Sequence, residues 1–224
     1  MKISSQRTAM HQSARRNAPH AVDTDVGYLA QFYREGADTY DLDVGRQGYY
    51  GPMVVAELAA VTQTAYLVKE RACITILDAG CGTGLVGLQL GRLGFRLIDG
   101  FDLFEEMAEK ARQTRVYRHV QGRVDLNGSL SDYSDASYDI TVCCGVFTHR
   151  LARPDGLREL ARVTRPNGFV IASTRKSYAE ATCFDGEVRR LKDAGVLNLG
   201  YCLSEARYYD EDAHYWVFQI PCKS

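Results

Sequence analysis

A short stretch at residues 74–84, ITILDAGCGTG, combines one acid with three glycines at alternate positions. Apolar residues lead into Asp78, which predicts a buried strand that ends in a tight turn. Glycine allows a sharp bend and a close approach to a ligand, because it has no Cβ. The pyrophosphate-binding fingerprint is G-x-G-x-x-G, whereas Gly80, Gly82 and Gly84 bring the last glycine one position earlier. A carboxylate before the turn repels phosphate and favours a cation or an amine, so we expect a nucleoside-type ligand without phosphate rather than a purely structural turn.

A second acid, Asp102, follows the next predicted strand, 18 residues after Gly84. In doubly wound sheets an acid at this place accepts hydrogen bonds from ribose hydroxyls. The alternative is that Asp102 only caps the helix predicted at 105–114. In the first case Leu103 packs on the face of an adenine ring, and Met107 closes the same pocket.

A third acid, Asp125, follows the third predicted strand. Its side chain can accept a hydrogen bond from an adenine amino group, while the backbone amide of Leu126 meets a ring nitrogen. A loop acid that forms an Asx turn is the alternative.

The fourth segment is the apolar run 139–149, DITVCCGVFTH, which becomes polar where the strand ends. Ligands of open α/β sheets bind at this carboxyl edge. We expect the carbonyl groups near Cys144 and Gly145 to face the cofactor, and Thr148 and His149 to face the molecule that reacts. His149 is the candidate general base, because a histidine titrates near neutral pH; otherwise it opens the next helix or bonds the backbone.

Together these four segments resemble the class I S-adenosylmethionine-dependent methyltransferases. The stretch 40–52, YDLDVGRQGYYGP, and the later GVFTH at 145–149 are similar to the methyltransferase-like group named after the Williams–Beuren syndrome chromosomal region. The resemblance covers about residues 25–175 and implies S-adenosylmethionine as the cofactor. It also makes Tyr40 a candidate cofactor contact and, beside His149, a candidate catalytic residue. Many relatives place the third acid one or two residues earlier, so the adenine contact stays open between Asp125 and a backbone group.

Strands and helices alternate along most of the chain, which predicts an α/β fold with parallel strands and right-handed crossovers. The apolar strand runs do not alternate with polar residues, so both faces of the sheet are expected to be covered. With the resemblance, we expect a doubly wound, seven-stranded, mostly parallel sheet with an antiparallel C-terminal hairpin and N-terminal helices. The predicted strands are 73–77, 96–101, 116–120, 138–146, 169–173, 197–209 and 214–221. The predicted helices are 25–33, 51–68, 85–93, 105–114, 156–164 and 186–193.

The length of 224 residues suits one domain. We predict a flexible N-terminal arm at 1–24 and a single methyltransferase domain at 25–224, with a helical lid at 25–70. The net charge of −1 offers no general attraction for nucleic acid or for a membrane. Seven cysteines without a C-x-x-C pair favour reduced thiols in a cytoplasmic protein, with no metal site. The oligomeric state stays open.

Tyrosine is unusually frequent, with 14 residues crowded towards both ends of the chain. Aromatic walls suit a planar or aromatic acceptor and a cationic sulfonium. We therefore predict methyl transfer to a small molecule by direct displacement. The alternatives are a protein of this fold that uses the cofactor for a non-methylating reaction, and a non-catalytic cofactor-binding subunit of a partner enzyme.

Overall fold

The computed structural model describes residues 49–148, 151–208 and 211–222. The predicted arm at 1–24, the predicted helix at 25–33, and both Tyr40 and His149 lie outside these residues. Within the described part of the chain, no helix has the length and hydropathy of a membrane span.

Seven strands form one sheet in the order β3-β2-β1-β4-β5-β7-β6. Neighbouring strands from β3 to β5 are parallel, and β7 is antiparallel to both β5 and β6. The predicted fold class, including the antiparallel C-terminal hairpin, is therefore confirmed. The strands are β1 (Thr75–Ala79), β2 (Leu97–Phe101), β3 (His119–Gln121), β4 (Tyr138–Phe147), β5 (Thr164–Arg175), β6 (Asn198–Arg207) and β7 (Asp212–Gln219).

Six α-helices connect or precede these strands in the described residues. Five of them overlap a predicted helix. The short helix before Cys183 was not predicted. Cys183 has a left-handed backbone (φ 51°), which ends this helix and begins the next. The helices are α1 (Gly51–Tyr66), α2 (Leu85–Arg92), α3 (Glu105–Gln113), α4 (Leu157–Val163), α5 (Lys176–Thr182) and α6 (Phe184–Asp193).

Two apolar clusters cover the two faces of the sheet. Ile76 belongs to the cluster that includes the buried side of α1 and α2, whereas Leu77 belongs to the one that includes α4 and α6. Successive strand residues point to opposite faces, so a strand covered on both sides needs an unbroken apolar run. This explains why the strands lack polar alternation.

The third strand is shorter than predicted, because Tyr117 does not lie in it. The phenol of Tyr117 reaches Asp78 at the end of β1, and regular pairing with β2 begins only at His119. The fifth strand is longer than predicted and begins at Thr164. Asn167 in this strand has a φ of 62°, a conformation that asparagine tolerates better than most residues.

Candidate cofactor and acceptor site

An open cavity of about 1020 Å³, its mouth included, lies at the carboxyl ends of the central strands. The site follows from topology: β1 pairs with β2 on one side and with β4 on the other, so the loops after all three strands meet. The residues that line the cavity are Tyr49, Pro52, 80–83, Leu85, Val86, 101–104, Met107, 124–126, 144–146, Leu151 and Tyr208.

The first two positions of the turn require glycine for different structural reasons. Both have left-handed backbones, with φ 71° at Gly80 and 54° at Gly82. A Cβ on Gly80 would stand 2.2 Å from Cγ2 of Val146, so close packing requires this glycine. Apart from its chain neighbours, the nearest atom to a Cβ on Gly82 would be Cε of Met107 at 3.9 Å. The missing side chain of Gly82 therefore leaves room beside the cavity, as a ligand that approaches the backbone would need.

Gly84 and Asp78 do not line the cavity. A Cβ on Gly84 would lie 3.3 Å from Cα of Ala111, so this glycine allows α2 to begin close to α3. The Asp78 side chain is fully buried below the turn. The structure therefore places these two predicted cofactor contacts behind the turn rather than on the cavity wall.

The Asp78 carboxylate accepts a hydrogen bond from one buried side chain among the described residues, that of Tyr117. The Tyr117 hydroxyl donates to Oδ2 of Asp78 over 2.7 Å and accepts from the backbone N–H of Gly87 over 3.1 Å. No hydrogen-bond partner from the described residues reaches Oδ1. Burial raises the pKa of Asp78 to about 7, with a smaller rise from Asp102, while the Tyr117 hydrogen bond lowers this pKa.

Asp102 faces the cavity and holds the turn at the same time. Its Oδ2 accepts from the N–H of Gly82 over 2.8 Å, and its Oδ1 accepts from the N–H of Phe104 over 2.9 Å. Burial raises the pKa of this carboxyl to about 6, although both backbone hydrogen bonds lower it. Each carboxylate oxygen can accept a second hydrogen bond. Backbone binding and ribose binding are therefore compatible roles for Asp102.

Apolar side chains form a slot next to Asp102. Met107 and Leu126 are buried, Leu103 is partly buried, and all three line the cavity together with Val124. An apolar slot beside a hydrogen-bonding carboxylate suits an adenosine, whose ring is planar and whose ribose carries hydroxyls. The structure thus brings the predicted adenosine contacts together.

Asp125 lies on the cavity wall but is exposed, and its Oδ1 accepts from both the N–H and the side-chain amide of Asn127. This is the Asx turn that was the alternative. Asn127 in turn donates from Nδ2 to the carbonyl of Leu151 over 2.6 Å and accepts at Oδ1 from the N–H of Arg153. Asp125 therefore supports the segment that follows position 150.

The other end of the cavity is formed by Cys144 and Gly145 with two tyrosines. The Tyr49 hydroxyl lies 3.0 Å from the Tyr208 hydroxyl and 3.4 Å from Sγ of Cys144. Gly145 has a φ of 75°, and a Cβ there would lie 2.8 Å from the Tyr208 hydroxyl. Burial raises the pKa of Tyr208 well above its usual range, so this phenol stays protonated.

Tyr49 and Tyr208 were not among the predicted site residues. The crowding of tyrosines near both ends of the chain was the only signal for them. The backbone N–H of Tyr50 donates to the carbonyl of Tyr208 over 3.0 Å, and the Arg207 guanidinium lies 5.0 Å from the Tyr50 ring centre. These contacts fix the segment before α1 against the end of β6.

Known proteins with similar sequences are methyltransferases. A family model described as a methyltransferase domain matches residues 77–172. Methyltransferase-like protein 27 from Homo sapiens is 29% identical over 188 residues, which cover 82% of this chain and 73% of that protein. A ubiquinone biosynthesis O-methyltransferase from Rickettsia akari (strain Hartford) is 29% identical over 121 residues, 52% of this chain and 47% of that protein. The chain thus spans about half the length of the second relative.

Solved structures support the same fold. The magnesium protoporphyrin IX methyltransferase ChlM from Synechocystis PCC 6803, with bound S-adenosylhomocysteine, has a TM-score of 0.61 at 16% identity, covering 87% of this chain and 99% of that chain. A TehB-like methyltransferase from Corynebacterium glutamicum ATCC 13032 has a TM-score of 0.59 at 21% identity, covering 84% and 97%.

The sheet order, the glycine turn beside Asp102 and these similarities support a class I S-adenosylmethionine-dependent methyltransferase, with S-adenosylmethionine as the cofactor.

Proposed function

We propose that this enzyme methylates a small molecule that is uncharged or cationic and binds between Tyr49, Tyr208 and Cys144. The observation that carries the proposal is the charge distribution along the cavity. Among its described lining residues, the charged side chains are Asp102 and Asp125, and both belong to the adenosine end. The tyrosine end offers two phenols, a buried thiol and apolar groups.

Such a chamber disfavours an anionic acceptor. Burial of an anion costs several kcal/mol unless a positive charge or several donors compensate, and the side chains at this end of the described wall supply two phenol hydroxyls and one thiol. A phenol, an aromatic alcohol or an amine can accept from a tyrosine hydroxyl and pack its ring on the aromatic wall. One similar protein is named for ubiquinone biosynthesis and another for magnesium protoporphyrin IX, which supports a small-molecule acceptor.

The residues of the chamber would act by positioning and by exclusion of water. The bound cofactor supplies a methyl group on a sulfonium, so that the acceptor gains the methyl group and loses its proton while a neutral thioether leaves. Alignment of the acceptor then carries most of the rate enhancement. We further propose that His149, one residue past the described Thr148, accepts the proton, and that Tyr40 contributes to the cofactor or acceptor side.

The direct test is a turnover assay with S-adenosylmethionine and matched acceptors. Neutral phenols, catechols and aromatic amines are each compared with a carboxylated analogue, and both S-adenosylhomocysteine and the methylated product are measured. We expect turnover with a neutral or cationic member and at least about a tenfold lower kcat/KM for its carboxylated partner. Methylation of RNA or protein, with every small molecule inert, would contradict the proposal.

The role of His149 has its own test. His149→Ala is expected to lower kcat with the true acceptor by about 100-fold while the affinity for S-adenosylhomocysteine stays the same. An unchanged kcat would remove His149 from the mechanism and leave the proposal on the acceptor class intact. We also propose a cytoplasmic location for this enzyme.

A further inference from the structure

Tyr117 lies against three glycines that belong to three different elements. A Cβ on Gly87 of α2 would stand 2.3 Å from the Tyr117 hydroxyl oxygen. A Cβ on Gly84 in the turn would lie 3.2 Å from its ring, and one on Gly100 of β2 would lie 3.1 Å from it. The absence of three side chains thus makes the space that this one ring fills.

The hydroxyl of Tyr117 uses this position to join two parts of the cofactor turn. It donates to Asp78, the last acid before the turn, and accepts from the N–H of Gly87, the third residue of α2. The first N–H groups of a helix have no partner within the helix. A distant phenol therefore completes the start of α2, where Gly84, the residue before the helix, provides no side-chain hydrogen bond.

We propose that Tyr117 is a positioning residue for the cofactor turn: its hydroxyl holds Asp78 and the first turn of α2 in one arrangement, so that the backbone at 80–83 keeps the geometry that binds the cofactor. Tyr117 itself does not line the cavity and acts through these groups. The proposal depends on the cofactor site alone and is independent of which acceptor the enzyme uses.

The hydrogen bond between Tyr117 and Asp78 can be tested through the ionisation of Asp78, which depends on the titratable groups around it. The Asp78 carboxyl interacts electrostatically with the side chains of Tyr117, Asp102, Cys81, Cys143 and Cys144. Every one of these groups is either neutral or negative. No described cation is among these partners. The Tyr117 hydroxyl is therefore the main side-chain support for the ionised form of Asp78, and its removal raises the pKa of Asp78 further above about 7.

Tyr117→Phe tests the proposal by calorimetric titration with S-adenosylhomocysteine between pH 5.5 and 8.5. We expect a Kd increased about fivefold at pH 7.5, with the upper midpoint of the pH profile moved to higher pH. The step near pH 6 that belongs to Asp102 should stay in place. Asp78→Asn removes the upper step, and Tyr117→Phe added to it should move no midpoint.

Tyr138→Phe is the control, since the Tyr138 hydroxyl also donates to a carboxylate, that of Asp99 over 3.2 Å, in a buried hydrogen bond away from the cavity; Asp99 is paired with Arg118 as well. We expect this variant to bind S-adenosylhomocysteine with the wild-type Kd and pH profile. Wild-type values for Tyr117→Phe, or equal losses in both variants, would overturn the proposal.

A measurement on the unchanged protein covers the case in which Tyr117→Phe does not fold. With tyrosines labelled at Cζ, saturation with S-adenosylhomocysteine should shift the Tyr117 resonance and leave that of Tyr138 in place. A Tyr117 resonance that does not move on saturation would equally overturn the proposal.

Discussion

The hydroxyl of Tyr49 lies 3.0 Å from the hydroxyl of Tyr208, although 159 positions separate the two tyrosines in the sequence. Their rings meet edge to face with centres 5.0 Å apart. Either hydroxyl can donate to the other, and the Tyr49 hydroxyl also lies 3.4 Å from Sγ of Cys144. Both tyrosines and Cys144 line the cavity.

The tyrosine pair is expected to matter for the acceptor and not for the cofactor. Tyr208→Phe should raise KM for the acceptor by about 5–20-fold, the equivalent of about 1–2 kcal/mol for one lost hydrogen bond in a buried site. The Kd for S-adenosylhomocysteine should stay within about twofold of the wild type. Tyr201→Phe, a 55% exposed tyrosine on β6, is the control that should change neither constant. Equal changes in both constants for Tyr208→Phe would place the pair in the cofactor site.

Asp102 should release a proton when the cofactor binds near pH 6. In the free protein burial raises its pKa to about 6, and hydroxyl donors from a bound ribose stabilise the carboxylate and lower that pKa. Affinity should therefore fall as the pH drops from 7 to 5, and the binding heat at pH 6 should depend on the ionisation enthalpy of the buffer. Asp102→Asn should reduce this dependence to the part that Asp78 contributes. Proton uptake by the wild type would contradict ribose binding by Asp102.

The free protein should lose stability as the pH rises from 5.5 to 8. Burial raises the pKa of Asp78 to about 7 and that of Asp102 to about 6, from 3.8 for the exposed side chain. A raised pKa favours the protonated form in the folded state, so this contribution is complete below about pH 4 and is lost as the pH passes 6 to 7. The Tm of Asp78→Asn should fall less steeply over this range than that of the wild type. Parallel slopes would show that Asp78 titrates normally.

Gly80 should be intolerant of a side chain for a reason that Gly195 does not share. Both have left-handed backbones, with φ 71° and 67°, so alanine strains either by about 1–2 kcal/mol. A Cβ on Gly80 would also collide with Val146, whereas one on Gly195 would have no neighbour within 4 Å. Gly80→Ala should lower the free energy of unfolding by more than Gly195→Ala and weaken S-adenosylhomocysteine binding. Similar denaturant midpoints and affinities for the two variants would contradict this packing.

The cofactor half of the site could be predicted because its signals are local. The glycine turn, Asp102 and the apolar residues after it follow one another along short stretches, and the parallel strand order brings the stretches to one edge. The fold class followed from the alternation of apolar runs with helical ones. For Asp125 the same local pattern left two readings, and the structure forms the Asx turn while the side chain also lines the cavity.

The groups that support the turn and form the acceptor chamber could not be predicted in the same way. Tyr117 meets Asp78 from 39 positions away, and Tyr208 meets Tyr49 from across the chain. Such contacts depend on how elements pack, and a single tyrosine in a loop or at a strand end has no local pattern that identifies its partner. The need for glycine at positions 87 and 100 likewise follows only from the structure, in which the Tyr117 ring lies against Gly87 and Gly100.

The central claim is that the cavity between Gly82 and Asp102 binds the methyl donor, and calorimetric titration of the full chain with S-adenosylhomocysteine at pH 7.5 tests it most directly. We expect saturable binding of one molecule per chain with a Kd well below about 1 mM, weakened about tenfold or more in Asp102→Ala. No saturable binding at about 1 mM, or the same Kd in Asp102→Ala, would contradict the account.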